Sequence, residues 1–250
     1  LKFNKNVKSY LFIIPLLSLA FAFGCHKKET KVIPLKSRQN QIAYELNKPL
    51  LPLAIGNQWE YSAYKTIQTP KVTNTYKNIY LFQVTQLTQL ASGDQQATID
   101  VTSNGKLVER KIWISSKNGI YQAAAGEKSI PYSPPMLMVP LPLQDHQHFN
   151  WKGTGPMELG TSVASTLTGK FLGIEGFETD TGRFKGVTIE MRQEWTENNQ
   201  PASTLSQTWW IPGIGLGRLI EVTALLHERI EIIMRLKSYK IHSTNDLSLK

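Results

Sequence analysis

The sequence predicts an all-β domain, built as a curved antiparallel sheet or half-open β-barrel. Three observations carry that expectation. Apolar and polar residues alternate over many short segments, as in "QATIDVTSNGKLVERKIWIS" (96–115), where Asn104-Gly105 separates two alternating runs. Asn-Gly between such runs signals a tight hairpin, because both central residues of a type I′ turn need positive φ. Glycine-bearing turns punctuate the chain at fairly even spacing, the pattern of sandwiches and barrels. One motif also occurs twice: "LPLAIGNQWEY" (51–61) and "LPLQDHQHFNW" (141–151) both read Leu-Pro-Leu, five residues, aromatic, any residue, aromatic.

Taken in order, residues 1–24 read as an export signal. Lys2, Lys5 and Lys8 precede an uncharged run, "LFIIPLLSLAFAF" (11–23). At about 1.5 Å per residue these thirteen positions reach roughly 20 Å, short of the roughly 30 Å hydrocarbon core of a bilayer. Gly24-Cys25 follows, and with it the chain resembles a bacterial lipoprotein precursor, in which a small residue and an obligatory cysteine end the lipobox. The resemblance implies lipidation of Cys25, the sole cysteine, and hence membrane anchoring through several acyl chains. His26 stands where enteric inner-membrane lipoproteins carry aspartate, which points to the outer membrane, facing the periplasm. Phe23 departs from the usual lipobox pattern. Residues 25–50 read as a basic tether carrying Lys27, Lys28, Lys31, Lys36 and Arg38, a composition suited to solvent or to anionic headgroups. Of the formal charge of +9, three leader lysines account for a third. A basic balance in an exported protein does not point to nucleic acid.

Residues 51–242 read as one β-rich globular domain, with 243–250 as a tail. Strand patterns recur in "NIYLFQVTQLTQL" (78–90), "NGIYQAAA" (118–125), "TSVASTLTGKFLGIEGFET" (161–179), "FKGVTIEMRQEWT" (184–196) and "TLSQTWWIP" (204–212). In "RIEIIMRLKSYKI" (229–241), Ile230, Ile232, Met234 and Leu236 share one face. The stretch 219–236 also carries a helical stripe at 219, 222, 226, 230 and 233; two strands are the preferred reading.

The repeated motif aligns Trp59 with Phe149 and Tyr61 with Trp151, and a weaker echo aligns Trp113 with Trp209. Two related β-rich halves are the expectation. The alignment also bears on Asp145, His146 and His148, the one candidate metal cluster. His-x-His on a strand can present two imidazoles to one metal. The repeat, however, places His146 opposite Gly56 in a connection leading into a strand, and no third ligand lies nearby in sequence. No metal or other cofactor is expected. "GIGLGR" (213–218) lacks the following helix of a phosphate loop. "GTSVA" (160–164) lacks the last glycine of a nucleophile elbow around Ser162. Glu190, Glu194 and Glu197 read as a solvated strand face.

The aromatic residues carry more. Trp59, Tyr61, Trp151, Trp209 and Trp210 lie on predicted strands, and the adjacent Trp209 and Trp210 must point to opposite faces. In "YSPPMLMVPLPL" (132–143), four prolines oppose an ordinary central strand, while Met136 and Met138 suit an adaptable apolar lip.

With "TDTGRFKGV" (179–187), "WWIPGIGLGRLIEV" (209–222) and "LKSYKI" (236–241) added to the opening motif, the chain resembles a family of uncharacterised bacterial exported β-rich proteins. Their usual forms are "PLKVGNSWTY", "TPAGTFKNV" and "WYAPGVGLVK"; this chain departs at "LQDHQHF" and in having Asp180 for proline. That family looks akin to the half-open barrels of the LolA and LolB lipoprotein carriers. The resemblance implies an apolar hollow and no catalytic residues. The expected function is therefore a non-enzymatic periplasmic lipoprotein binding a hydrophobic ligand, lipid or acyl chains, through Trp59, Tyr61, Trp151, Trp209, Trp210, Met136 and Met138. The alternative is an envelope assembly lipoprotein acting through protein contacts.

Overall fold

The computed structural model describes residues 46–156 and 162–242. The expected signal at 1–24, Cys25 with most of its tether, and the tail at 243–250 lie outside the described residues. So do Gly160 and Thr161 of the elbow-like stretch.

Twelve antiparallel strands form the domain: β1 (Gln58–Gln68), β2 (Thr73–Gln89), β3 (Gln95–Ser103), β4 (Lys106–Ser116), β5 (Gly119–Ala125), β6 (Ile130–Pro140), β7 (His148–Pro156), β8 (Ser162–Thr179), β9 (Gly182–Glu197), β10 (Gln200–Ile211), β11 (Gly215–Ala224) and β12 (Arg229–Lys240). Each pairs with its chain neighbour, and β12 returns to β1, so the sheet closes into a barrel. The stretch with a second, helical reading forms β11 and β12, because its neighbours supply ladders on both sides. Asn104 and Gly105 turn between β3 and β4 with φ of 52° and 74°, as the Asn-Gly signal requires.

The repeated motif occupies one structural position twice. The Asn57 N–H donates to the Ala54 C=O, and the Gln147 N–H donates to the Gln144 C=O, both at 3.0 Å. Each turn then pins the second strand of its half: Val84 N–H to Asn57 C=O and Phe171 N–H to Gln147 C=O, both at 2.9 Å. Bulges follow directly, at Val84/Gln86 and at Phe171/Gly173. Gly56 and its counterpart His146 both take positive φ, 87° and 57°. Strands β1–β6 thus match β7–β12 in order. The weaker echo misaligns by one residue. Trp113 faces inward on β4, while Trp209 faces outward on β10, where a bulge lies between Trp209 and Trp210. The inward counterpart of Trp113 is Trp210.

The two ends of the barrel differ. At the end where β1 begins, Leu50, Leu51, Leu53 and Ala54 are buried and fold under the strands as a plug. The buried Asn57 side chain holds the plug, donating to the Pro52 C=O at 3.0 Å and accepting from the His242 N–H at 2.8 Å. Above it, Trp59 donates its Nε1 hydrogen to the Ile214 C=O, and the Tyr61 hydroxyl donates to the Leu216 C=O at 2.8 Å. Burying two large amphipathic rings this way satisfies their polar ends while their rings fill the core.

Candidate functional site

Among the described residues, the opposite end is not filled. A cavity of about 610 Å³ enters the barrel there, within the roughly 300–1,000 Å³ typical of small-molecule sites. Strand alternation builds its walls. On β9 the inward residues run Val187, Ile189, Met191, Gln193, Trp195, and on β10 they run Thr204, Ser206, Thr208, Trp210. Phe82, Trp113, Trp210, Met136, Met191, Leu216 and Met234 line the deeper hollow. Trp113 and Trp210 meet across it, ring centroids 5.8 Å apart.

One wall carries a chain of polar groups within this apolar surface. The Trp113 Nε1 donates to Gln122 Oε1 at 3.2 Å, and the Gln122 Nε2 donates to the Tyr132 hydroxyl at 3.3 Å. The Tyr132 hydroxyl donates in turn to the Pro156 C=O at 3.5 Å. Burial, reinforced by Glu109 and Glu221, pushes the Tyr132 phenol far above its ordinary range, so it stays protonated and a donor. Nearer the mouth, Lys65, Glu109, Lys111, Glu127 and Glu221 border the cavity. Lys111 Nζ lies 2.7 Å from Glu109 Oε1. Trp195 also lines this level, and its buried Nε1 has no hydrogen-bond partner. The arrangement suits an amphipathic occupant: apolar depth, a few fixed polar groups, a charged mouth.

The expected ligand residues divide by height and by face. Trp210, Met136 and Met138 line the hollow. Trp59 and Tyr61 face inward below it, in the plugged end. Trp151 works on the seam between β6 and β7, which share a single register pair, Ser133 with Thr154. There its Nε1 donates to the Pro134 C=O at 3.0 Å, and its ring meets Tyr132 edge-on at 6.0 Å. Prolines 131, 134 and 135 cannot donate to a ladder, so side chains hold this seam.

Trp209 faces outward and is nevertheless buried. The end of the β8–β9 hairpin folds across the outside of the barrel and covers it. Phe177 packs against Trp209 with its ring tilted, centroids 6.0 Å apart, and the Asp180 N–H donates to the Leu236 C=O of β12 at 2.9 Å. The Asp180 carboxylate accepts from the Ser62 hydroxyl of β1. Proline at position 180 could form neither bond, having no N–H and no carboxylate. Arg218 lies over the Trp209 ring, 4.9 Å from its centroid. Desolvation, with Arg235 nearby, lowers its pKa.

Among the described residues no three histidine, cysteine, aspartate or glutamate side chains cluster to hold a metal. His146 points to solvent from its turn, its Nε2 4.0 Å from Asp145 Oδ2, and His148 is exposed at the start of β7. Several lining residues were not singled out in the sequence, among them Trp195, Tyr132, Met191 and the inward charges. Alternation groups most of them on shared faces, since Glu109, Lys111 and Trp113 are two apart, as are Met191, Gln193 and Trp195, but it does not say which face is inside.

No family model and no curated protein matches this chain. Among solved structures, similarity extends to a lipoprotein candidate from Parabacteroides distasonis, at 13% identity and TM-score 0.48 over 77% of this chain and 99% of that chain. A candidate exported protein with a YmcC-like fold from Bacteroides fragilis is similar at 13% identity and TM-score 0.43, again over 77% and 99%. The hypothetical lipoprotein YmcC from Escherichia coli is similar at 9% identity and TM-score 0.30, over 75% and 91%.

Proposed function

We propose that this protein is a non-enzymatic, lipid-anchored protein of the bacterial envelope that carries or holds lipid. Its barrel receives the apolar part of a lipid or acyl-chain ligand. The observation that supports this reading is the hollow itself: about 610 Å³, open at one end, plugged at the other, with aromatic and methionine walls below a charged mouth. Apolar walls supply affinity without directionality, and methionines adapt to varied chains. The Trp113–Gln122–Tyr132 chain is a fixed polar feature against which a carbonyl or hydroxyl could orient. Anchoring through Cys25, with the domain in the periplasm at the outer membrane, belongs to the same proposal and rests on the lipobox alone.

Native mass spectrometry of the full chain with lysophosphatidylcholine tests the reading. The expected result is a one-to-one complex that Met191→Glu weakens at least tenfold with the melting temperature held within a few degrees. Absence of any complex, or equal binding by the variant, overturns it.

A further inference from the structure

Large apolar side chains exposed singly are ordinary on protein surfaces, and Tyr64, Tyr76, Leu205 and Tyr239 lie so along the strands. The open end is different. Val72, Leu107, Val108 and Leu226 are all exposed there, at 50%, 41%, 44% and 59%. They sit at or beside the tips of the β1–β2, β3–β4 and β11–β12 hairpins. Because β12 pairs with β1 and β2 with β3, these three tips are consecutive around the mouth.

Each tip also carries an exposed cation: Lys71 beside Val72, Lys106 beside Leu107, and Arg229 three positions after Leu226. Two partly buried carboxylates belong to this set of tips: Glu228, and Glu109 beside Val108, which pairs with Lys111. Farther round the mouth, among the described residues, the pattern stops. The β5–β6 tip offers Glu127 with Lys128, and the β9–β10 tip offers Asn198 and Asn199. Val108 also borders the hollow, so the apolar rim runs into the cavity wall.

We propose that this rim is a membrane-docking surface that seats the open end of the barrel on a bilayer containing anionic lipid. Aliphatic side chains ringed by Lys and Arg enter the headgroup boundary, where apolar burial and attraction to anionic headgroups act together. A surface of the same size built for a protein partner would favour aromatic anchors over bare aliphatic tips flanked by lysine. Docking in this way places the hollow's mouth at the lipid surface. The proposal stands on the rim residues and does not require that the hollow be occupied.

The test uses the full chain with Cys25→Ser, so that an introduced cysteine is the only one. An environment-sensitive fluorophore is attached at Leu107→Cys, at Leu226→Cys, or at Ile55→Cys on the plugged end. Each is mixed with phosphatidylcholine vesicles, with and without phosphatidylglycerol, that carry a nitroxide-headgroup quencher. The expected result is quenching at 107 and 226 several times that at 55. It should require phosphatidylglycerol and fade near 1 M salt, where the screening length is about 3 Å. Replacing Lys71, Lys106 and Arg229 together by glutamate should remove quenching at 226 without changing the melting temperature. Equal quenching at all three sites, none at 107 and 226, or the same signal on neutral vesicles overturns the proposal. A shift at 107 and 226 only with membrane proteins present assigns the rim to a protein instead and overturns it equally.

Discussion

Gly155 and Gly169 make room for aromatic rings on neighbouring strands. A Cβ at Gly155 would stand 2.1 Å from Tyr132 Cδ1, and one at Gly169 would stand 2.1 Å from Phe149 Cζ. Glycine permits this close approach, and it lets Tyr132 lie against β7 where backbone pairing is sparse. Gly155→Ala should therefore destabilise the fold by about 1–3 kcal/mol, as overpacking does, read as a lower melting temperature. Tyr132→Ala in the same chain should relieve part of that loss; strictly additive effects would refute the contact. The paired aromatics Trp209 and Trp210 were legible as facing opposite ways, because neighbouring strand residues always do. The inward charges Glu109 and Lys111 were harder to place. A short alternating segment shows which residues share a face, and the rest of the barrel decides which face is inside.

Two elements close the molecule by different means. Along β1–β12 the backbone ladder is continuous apart from a bulge at Lys237, and Glu60 bridges the strands by accepting from Lys237 Nζ at 2.8 Å and Ser238 Oγ at 2.9 Å. The hydrogen bond from Lys237, followed by that from Ser238, lowers the Glu60 pKa. Its folded-state value lies below its unfolded one, so the contribution is complete above the ordinary carboxylate range and disappears as pH falls through the lowered value. Both partners are substantially exposed, which limits the effect to under about 1 kcal/mol. Glu60→Gln should lower the melting temperature slightly at neutral and alkaline pH and leave it unchanged in strong acid, so that the acid side of the profile flattens. The folded-over end of the β8–β9 hairpin makes a second closure, which Asp180 clamps. Asp180→Pro removes two hydrogen bonds, about 1–3 kcal/mol together, and should shift tryptophan emission to the red as Trp209 meets water. Unchanged emission and stability would refute the clamp.

At the scale of the whole molecule, an occupant that binds only the folded barrel must stabilise it. Lysophosphatidylcholine at a hundredfold excess over its dissociation constant should add about 2.7 kcal/mol, seen as a rising denaturation midpoint; a bound lipid without any rise would place its site outside the fold. The all-β class, the Asn104-Gly105 hairpin, the shared inward face of β12 and the turn around His146 were determined by the sequence alone. Alternation and turn chemistry act over a few residues, so they are readable wherever they occur. Only the tertiary structure decided that Trp59 and Tyr61 plug one end while Trp113, Trp195 and Trp210 line the hollow at the other, and that Trp209 lies beneath a folded-back hairpin. Height within the barrel depends on the register of twelve strands and the placement of their bulges, and each register is set between segments distant in the chain.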